Sequence, residues 1–168
     1  MGADLADAFA TAREVFGEVD EALKQHLSKI MFEGPADQLT LTENAQPALM
    51  AVSLAVIRVL EAECGLDLKR DAAFVAGHSL GEYSALAAAG ALSIWDTARL
   101  LQRRGQAMQA AVPVGEGTMS ALIGIEIDGA EAAVKEASDA GIVVVANDNA
   151  PGQIVISGAK AAVDKAGE

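Results

Sequence analysis

The five residues Gly77-His78-Ser79-Leu80-Gly81 constrain this chain more than any other feature of it. They fit the pattern Gly-x-Ser-x-Gly, in which a strand turns so sharply into a helix that the serine is held in strained backbone geometry. The flanks agree. Ala72-Ala73-Phe74-Val75-Ala76 is a short apolar run that reads as a strand, and Glu82 to Ala89 is rich in helix formers. In such an elbow the two glycines let the backbone approach itself closely, and the serine oxygen is exposed at the C-terminal end of the sheet. The N–H of the next residue, Leu80, points where an oxyanion would develop, and the helix N-terminus adds partial positive charge there. Ser79 is therefore a candidate nucleophile. From the pattern alone, the alternative is an ordinary turn serine.

The rest of the chain reads as helix around this turn and as a mixed pattern after it. From Ala3 to His26, apolar residues recur at three- and four-residue steps, which predicts one amphipathic helix. Gly34-Pro35 marks a loop, and Thr42 is placed to cap a following helix. That helix is apolar on nearly all sides from Ala48 to Leu60, so it is expected to be buried, and Gly65 is expected to end it. Gly90 closes the helix after the elbow, and Ser93 caps another that runs toward Pro113. Val114 to Thr118 reads as a boundary. Beyond it come a strand from Met119 to Ile127, a helix from Ala130 to Ser138, and strands over Ile142–Ala146 and Gln153–Ser157. A last helix begins near Ala159. This β-α-β-β-α order is a split βαβ pattern lacking its last strand.

Composition excludes several classes. With 52% apolar and 21% charged residues among 168, a buried core needs no help from disulfides or metals. The formal charge of -12 argues against a nucleic-acid partner, which would need clustered Lys and Arg. No cationic leader precedes an apolar core, and the longest apolar stretch is broken by Gln46, Ser53 and Arg58, so a cytoplasmic protein with no membrane association is expected. The single cysteine, Cys64, has no partner for a bridge and no metal spacing, and reads as structural. No metal site is expected.

Three polar residues stand out beside Ser79. In the helix after Ser93, Ile94, Ala98, Leu101, Gly105, Met108 and Val112 form one stripe. At 100° per residue Arg103 lies opposite that stripe, whereas Arg104 lies only about 80° from its centre. Arg104 is left open between a surface salt bridge and a ligand contact. Gln46 opens an otherwise apolar helix, where an amide without partners is costly to bury; it either caps the helix or serves a site. His78 adjoins the candidate nucleophile, but the side chain before an elbow serine need not point with it. His26 falls on the polar side of the first helix and reads as solvated.

The longer run Gly77-His78-Ser79-Leu80-Gly81-Glu82-Tyr83-Ser84-Ala85-Leu86 resembles the signature of the malonyl-CoA:acyl carrier protein transacylases of fatty-acid synthesis. Asn44-Ala45-Gln46-Pro47-Ala48-Leu49 is similar to the start of that family's buried helix, and Arg104-Gly105-Gln106-Ala107-Met108-Gln109 to its arginine segment. Asn147 to Gln153 resembles the hairpin of its small subdomain. The resemblance covers essentially the whole chain. It implies an α/β fold made of an α/β-hydrolase-like large subdomain over residues 1–113 and a ferredoxin-like small subdomain over 114–168, both incomplete. It implies a ping-pong transfer in which Ser79 takes malonyl from malonyl-CoA as an ester and passes it to the pantetheine thiol of acyl carrier protein. Leu80 would supply an oxyanion donor, Arg104 would hold the free malonyl carboxylate, and Gln46 and His78 would contribute to substrate binding, His78 by lining the acyl pocket. No cofactor is implied beyond the coenzyme A thioester, and the full-length enzyme would be a monomer.

The same family places its general-base histidine well downstream and opens with a Gly-Gln-Gly loop, and neither is found in these residues. The chain is accordingly expected to be a fragment or a truncated product. The rival readings are an acyltransferase domain of a polyketide synthase, a serine thioesterase or hydrolase releasing the acyl group to water, and an inactive fragment of the transacylase.

Overall fold

The computed structural model describes residues 1–113 and 115–168. These form two compact units, Met1–Gln109 and Ala110–Glu168. Of the boundary expected over Val114–Thr118, Val114 lies outside the described residues, and Gly117 and Thr118 already belong to the first strand of the second unit.

The regular elements described in the first unit are all helices. α1 (Ala3–Ala8) and α2 (Ala10–Leu23) replace the single helix expected from Ala3 to His26, because Phe9 sits in an extended conformation between them (φ -128°, ψ 126°). The break leaves carbonyls without intrahelical partners. Arg13 reaches back from α2 and donates to two of them, those of Ala6 and Asp7. Next come α3 (Leu27–Glu33) and α4 (Ala36–Thr40), on either side of Gly34 and Pro35. The long helix α5 (Thr42–Cys64) follows. Thr42 is its first residue and not its cap; Leu41 holds the cap position, without a side-chain hydrogen bond. Gly65 ends the helix in the left-handed region at φ 69°, where a glycine is favoured. Cys64, expected to be structural, is exposed at this helix end.

α2 packs along α5, and Phe16, Val19, Leu27, Met50 and Leu54 lie buried between the elements of this unit. Each such side chain contributes about 1.5–3 kcal/mol over leaving it exposed. Phe16 and Phe32 meet edge to face with ring centroids 5.2 Å apart. The expectation that α5 is buried all round needs correction. Leu49, Val56 and Leu60 remain 38–45% exposed on one face, which none of the described elements covers.

After α6 (Leu68–Asp71) the chain runs extended from Ala72 to the elbow, then enters α7 (Leu80–Ala88) and α8 (Ile94–Ala111). The strand expected over Ala72–Ala76 is not formed. A strand is defined by its ladder, and none of the described residues pairs with this segment, so Phe74 stands 93% exposed. Ser93 caps α8 as expected: its Oγ accepts from the Asp96 N–H at 3.0 Å and donates to the Asp96 carboxylate at 2.7 Å.

The second unit is an α/β layer. β1 (Gly117–Ile123) leads to α9 (Ile127–Ala137) and a short 3-10 turn (Ser138–Ala140). β2 (Val143–Ala150), β3 (Gln153–Ala159) and α10 (Lys160–Ala166) complete it. The sheet order is β1-β3-β2, and β3 is antiparallel to both neighbours. β1 and β2 therefore run parallel with β3 inserted between them, which is the split βαβ arrangement. β2 continues past Ala146, where the sequence puts its end. Register shifts between Val145 and Asn147 and between Asp148 and Ala150 let the polar segment bulge and stay in the ladder. Val143, Ile156, Ala162 and Val163 bury one sheet face against α9 and α10.

Candidate active site

Ser79 is the cap residue of α7, at φ 55° and ψ -115°. No regular element uses that combination, and a non-glycine residue held there stores about 1–3 kcal/mol of strain. Two local hydrogen bonds hold the turn: the Gly81 N–H donates to the His78 carbonyl at 2.8 Å, and the Glu82 N–H to the Ser79 carbonyl at 3.2 Å. Leu80 begins the helix, its side chain packed on the core of the first unit. Its N–H belongs to the first turn, where no carbonyl lies one turn back to accept it. The serine hydroxyl is thus presented to solvent beside the Leu80 N–H, unpaired among the described residues at the start of α7, and anionic charge developing there is stabilised.

The two glycines of the elbow are not equivalent. A Cβ on Gly77 would lie 1.9 Å from the carbonyl carbon and oxygen of Gly81, so only glycine lets the incoming chain pass that close to α7. A Cβ on Gly81 would meet nothing within 4 Å, because that position faces away from the incoming chain. The expectation that both glycines serve the close approach is met by Gly77 alone. The substitutions should therefore act with opposite signs. Gly77→Ala is expected to lower the thermal midpoint, since overpacking typically costs about 1–3 kcal/mol. Gly81→Ala is expected to raise it, by up to about 1 kcal/mol, the helix-propensity difference. Two equal shifts in melting curves would mean that the elbow is looser than this.

Arg104 comes to Ser79 from α8. Its Nη2 donates to Ser79 Oγ at 3.0 Å, and its Nη1 donates to Oε1 of Gln46 on α5. The Gln46 Nε2 in turn donates to the sulfur of Met108 at 3.4 Å. Gln46 is only 4% exposed, so both ends of its amide are satisfied inside the protein. Arg103, one residue away, is exposed and makes no hydrogen bond among the described residues, as its position opposite the apolar stripe requires.

Ser79, Leu80, Arg104 and Gln46 are therefore brought together. His78 is exposed, and its imidazole makes no hydrogen bond among the described residues. His26 lies 3.9 Å from Asp20 with its side chain 93% exposed. Two contributors escape a reading of the sequence. Met108 sits in the expected apolar stripe, yet it is 49% exposed and accepts the Gln46 amide. Gly105 is the other. A Cβ there would lie 2.5 Å from the Glu43 Cα and 2.6 Å from the Thr42 carbonyl oxygen, so this glycine lets α8 close onto the first turn of α5. Arg104 and Gln46 flank that contact. The signal was available, since a glycine inside a helix costs about 1 kcal/mol and asks for a packing reason.

Among the described residues there is no group of three or more His, Cys, Asp or Glu able to hold a metal ion, and no helix is long and apolar enough to cross a membrane.

The acyl transferase domain family matches residues 1–167. The chain is 46% identical over 169 residues to the malonyl CoA-acyl carrier protein transacylase of Bacillus subtilis, covering all of this chain and 52% of that protein. It is 42% identical over 167 residues to the protein of the same name from Escherichia coli, covering 99% of this chain and 53% of that one. Among solved structures, an acyl-carrier-protein-S-malonyltransferase from Bartonella henselae superimposes with a TM-score of 0.94 at 60% identity, over 99% of this chain and 52% of its own. A type II polyketide acyl-carrier protein in complex with its malonyl-transacylase also matches, with a TM-score of 0.91 at 42% identity, over 99% of this chain and 52% of that one. These likenesses carry the α/β fold. The chain spans about half the length of the relatives it matches.

Proposed function

The chain belongs to the acyl transferase domain family, and from that premise we propose that it carries the nucleophile and the acid-recognising arginine of an enzyme that moves malonyl from coenzyme A to acyl carrier protein. The observation that carries this is the hydrogen bond from Arg104 to Ser79 Oγ, because it sets a permanent cation within reach of any acyl group on the serine. A carboxylated acyl chain attached to Ser79 would turn its free end toward that guanidinium and pair with it through parallel N–H donors.

In the first half-reaction Ser79 Oγ bonds to the thioester carbonyl carbon, and the carbon–sulfur bond of malonyl-CoA breaks. The hydroxyl proton passes to a base and from there to the departing thiolate, which leaves as free coenzyme A. The Leu80 N–H and the α7 terminus stabilise the oxyanion between these steps. In the second half the carrier's pantetheine thiol attacks the ester, and Ser79 Oγ leaves with a proton. Neither histidine of the chain is hydrogen-bonded to Ser79 Oγ, and family resemblance gives the base role to a downstream histidine. His78 lies exposed beside the elbow and would line the acyl pocket.

Met1–Gln109 would form part of an α/β-hydrolase-like catalytic subdomain. Ala110–Glu168 would belong to a ferredoxin-like one, which its β1-β3-β2 antiparallel sheet supports. The proposed enzyme is monomeric and cytoplasmic and needs no cofactor beyond its thioester substrate.

The test is the fate of the acyl group. Given malonyl-CoA and pantetheinylated carrier protein, the malonyl group is expected to appear on the carrier, followed by the carrier's mass. Free malonate as the dominant product would replace the transferase with a hydrolase.

A further inference from the structure

Resting on the function proposed above, we infer that Gln46 is a positioning residue: it does not touch the acyl group but fixes the Arg104 guanidinium over Ser79, and the thioether of Met108 fixes Gln46 in turn.

The chemistry of the three groups permits one arrangement. A guanidinium only donates, so Gln46 must offer it the carbonyl oxygen; a thioether only accepts, so the amide nitrogen must face Met108. The amide therefore cannot turn over without losing both partners, and the observed contacts follow that polarity. With 4% of Gln46 exposed and a protein partner at each end of its amide, the side chain presents almost no surface to a substrate. Arg104 is held from two sides, through Nη1 by Gln46 and through Nη2 by Ser79. A long, rotamer-rich side chain is ordered before the substrate arrives, so binding does not bear that cost. Gly105 sets the spacing, since the closure of α8 on Thr42 and Glu43 brings the next turn of α5, with Gln46, against Arg104.

Two readouts separate this from direct substrate contact and from a merely structural role. In the first, the side-chain NMR signals of Arg104 in the full chain are expected to show hindered guanidinium rotation. Gln46→Leu, apolar and close in volume, is expected to release it, and Met108→Leu to release it in part. The second is the preference for malonyl-CoA over acetyl-CoA in acylation of Ser79. Gln46→Leu is expected to lower it about tenfold, the scale of one hydrogen bond to a charged group, and to lower it no further when Arg104 is already alanine. A guanidinium that stays hindered in Gln46→Leu overturns the inference. So does an equal loss of preference in the Arg104→Ala background, which would put Gln46 on the substrate itself. A protein that takes up no malonyl at all would count against the proposed function, whereas the guanidinium spectrum would still decide the role of Gln46.

Discussion

Ser79→Ala is expected to abolish acylation of the protein by malonyl-CoA, with a loss on the order of 10⁴-fold or more in rate, the scale seen when the nucleophile of an acyl-transfer site is removed. The readout is intact mass, taken on a protein that includes the downstream base the family resemblance implies: with Ser79 in place it gains one malonyl group, and the variant gains none. The size of the effect follows from geometry. Ser79 Oγ stands at the start of α7, held out by a backbone at φ 55° and ψ -115°, and the Leu80 N–H stays available to the oxyanion whichever side chain is present. Removing the oxygen leaves the stabilising dipoles without anything to stabilise. Alanine is also disfavoured at positive φ, so the thermal midpoint should be measured alongside, to separate a missing nucleophile from an opened elbow. The exposed Cys64 is the control for a rival thiol. If Ser79→Ala still gains the malonyl mass and Cys64→Ala does not, the acylation is incidental thiol chemistry and Ser79 loses its role.

What a sequence discloses here divides along the range of the interactions. The sharp turn at Ser79 and the glycine-terminated helices at Gly65 and Gly90 are local, set by residues within a few positions, and all of them stand in the structure. So does the cap at Ser93. The β-α-β-β-α order is legible for the same reason, and its sheet order follows from the rules for split crossovers. The strand expected over Ala72–Ala76 fails differently. Its residues are extended and apolar as a strand requires, but a ladder depends on neighbours, which periodicity cannot supply. The uncovered Leu49, Val56 and Leu60 face on α5 is the helical counterpart: hydrophobicity shows that a face wants burial, and only packing shows whether it gets it.

The arginine cluster is the long-range case. Arg104 and Gln46 are 58 positions apart, and Gln46 and Met108 are 62 apart. Helical phase could separate Arg104 from Arg103, because phase is local. It could not say that Gln46 would end one hydrogen bond from Arg104, because that depends on how closely α8 closes onto α5. Gly105 encodes the answer through the absence of a side chain, visible as a packing device only once Glu43 is seen against it.

Arg104→Ala is expected to cut the preference for malonyl-CoA over acetyl-CoA about 100-fold, since a carboxylate paired through two charge-assisted hydrogen bonds loses both while an acetyl group has none to lose. Arg104→Lys is the sharper test. An ammonium keeps the charge but not the fork: it cannot donate to Ser79 Oγ, to Gln46 Oε1 and to a malonyl carboxylate from one planar group. Lysine is therefore expected to recover only a small part of the preference. Full recovery would mean that charge alone selects the acyl group and that the geometry built by Gln46 and Gly105 has no bearing on it. Arg103→Ala serves as the control, since Arg103 is exposed on the far side of α8 and its loss should leave the ratio of the two substrates where it was. If Arg104→Ala changed acetyl and malonyl acylation by the same factor, the arginine would be acting on Ser79 itself through the 3.0 Å hydrogen bond, not on the substrate's carboxylate.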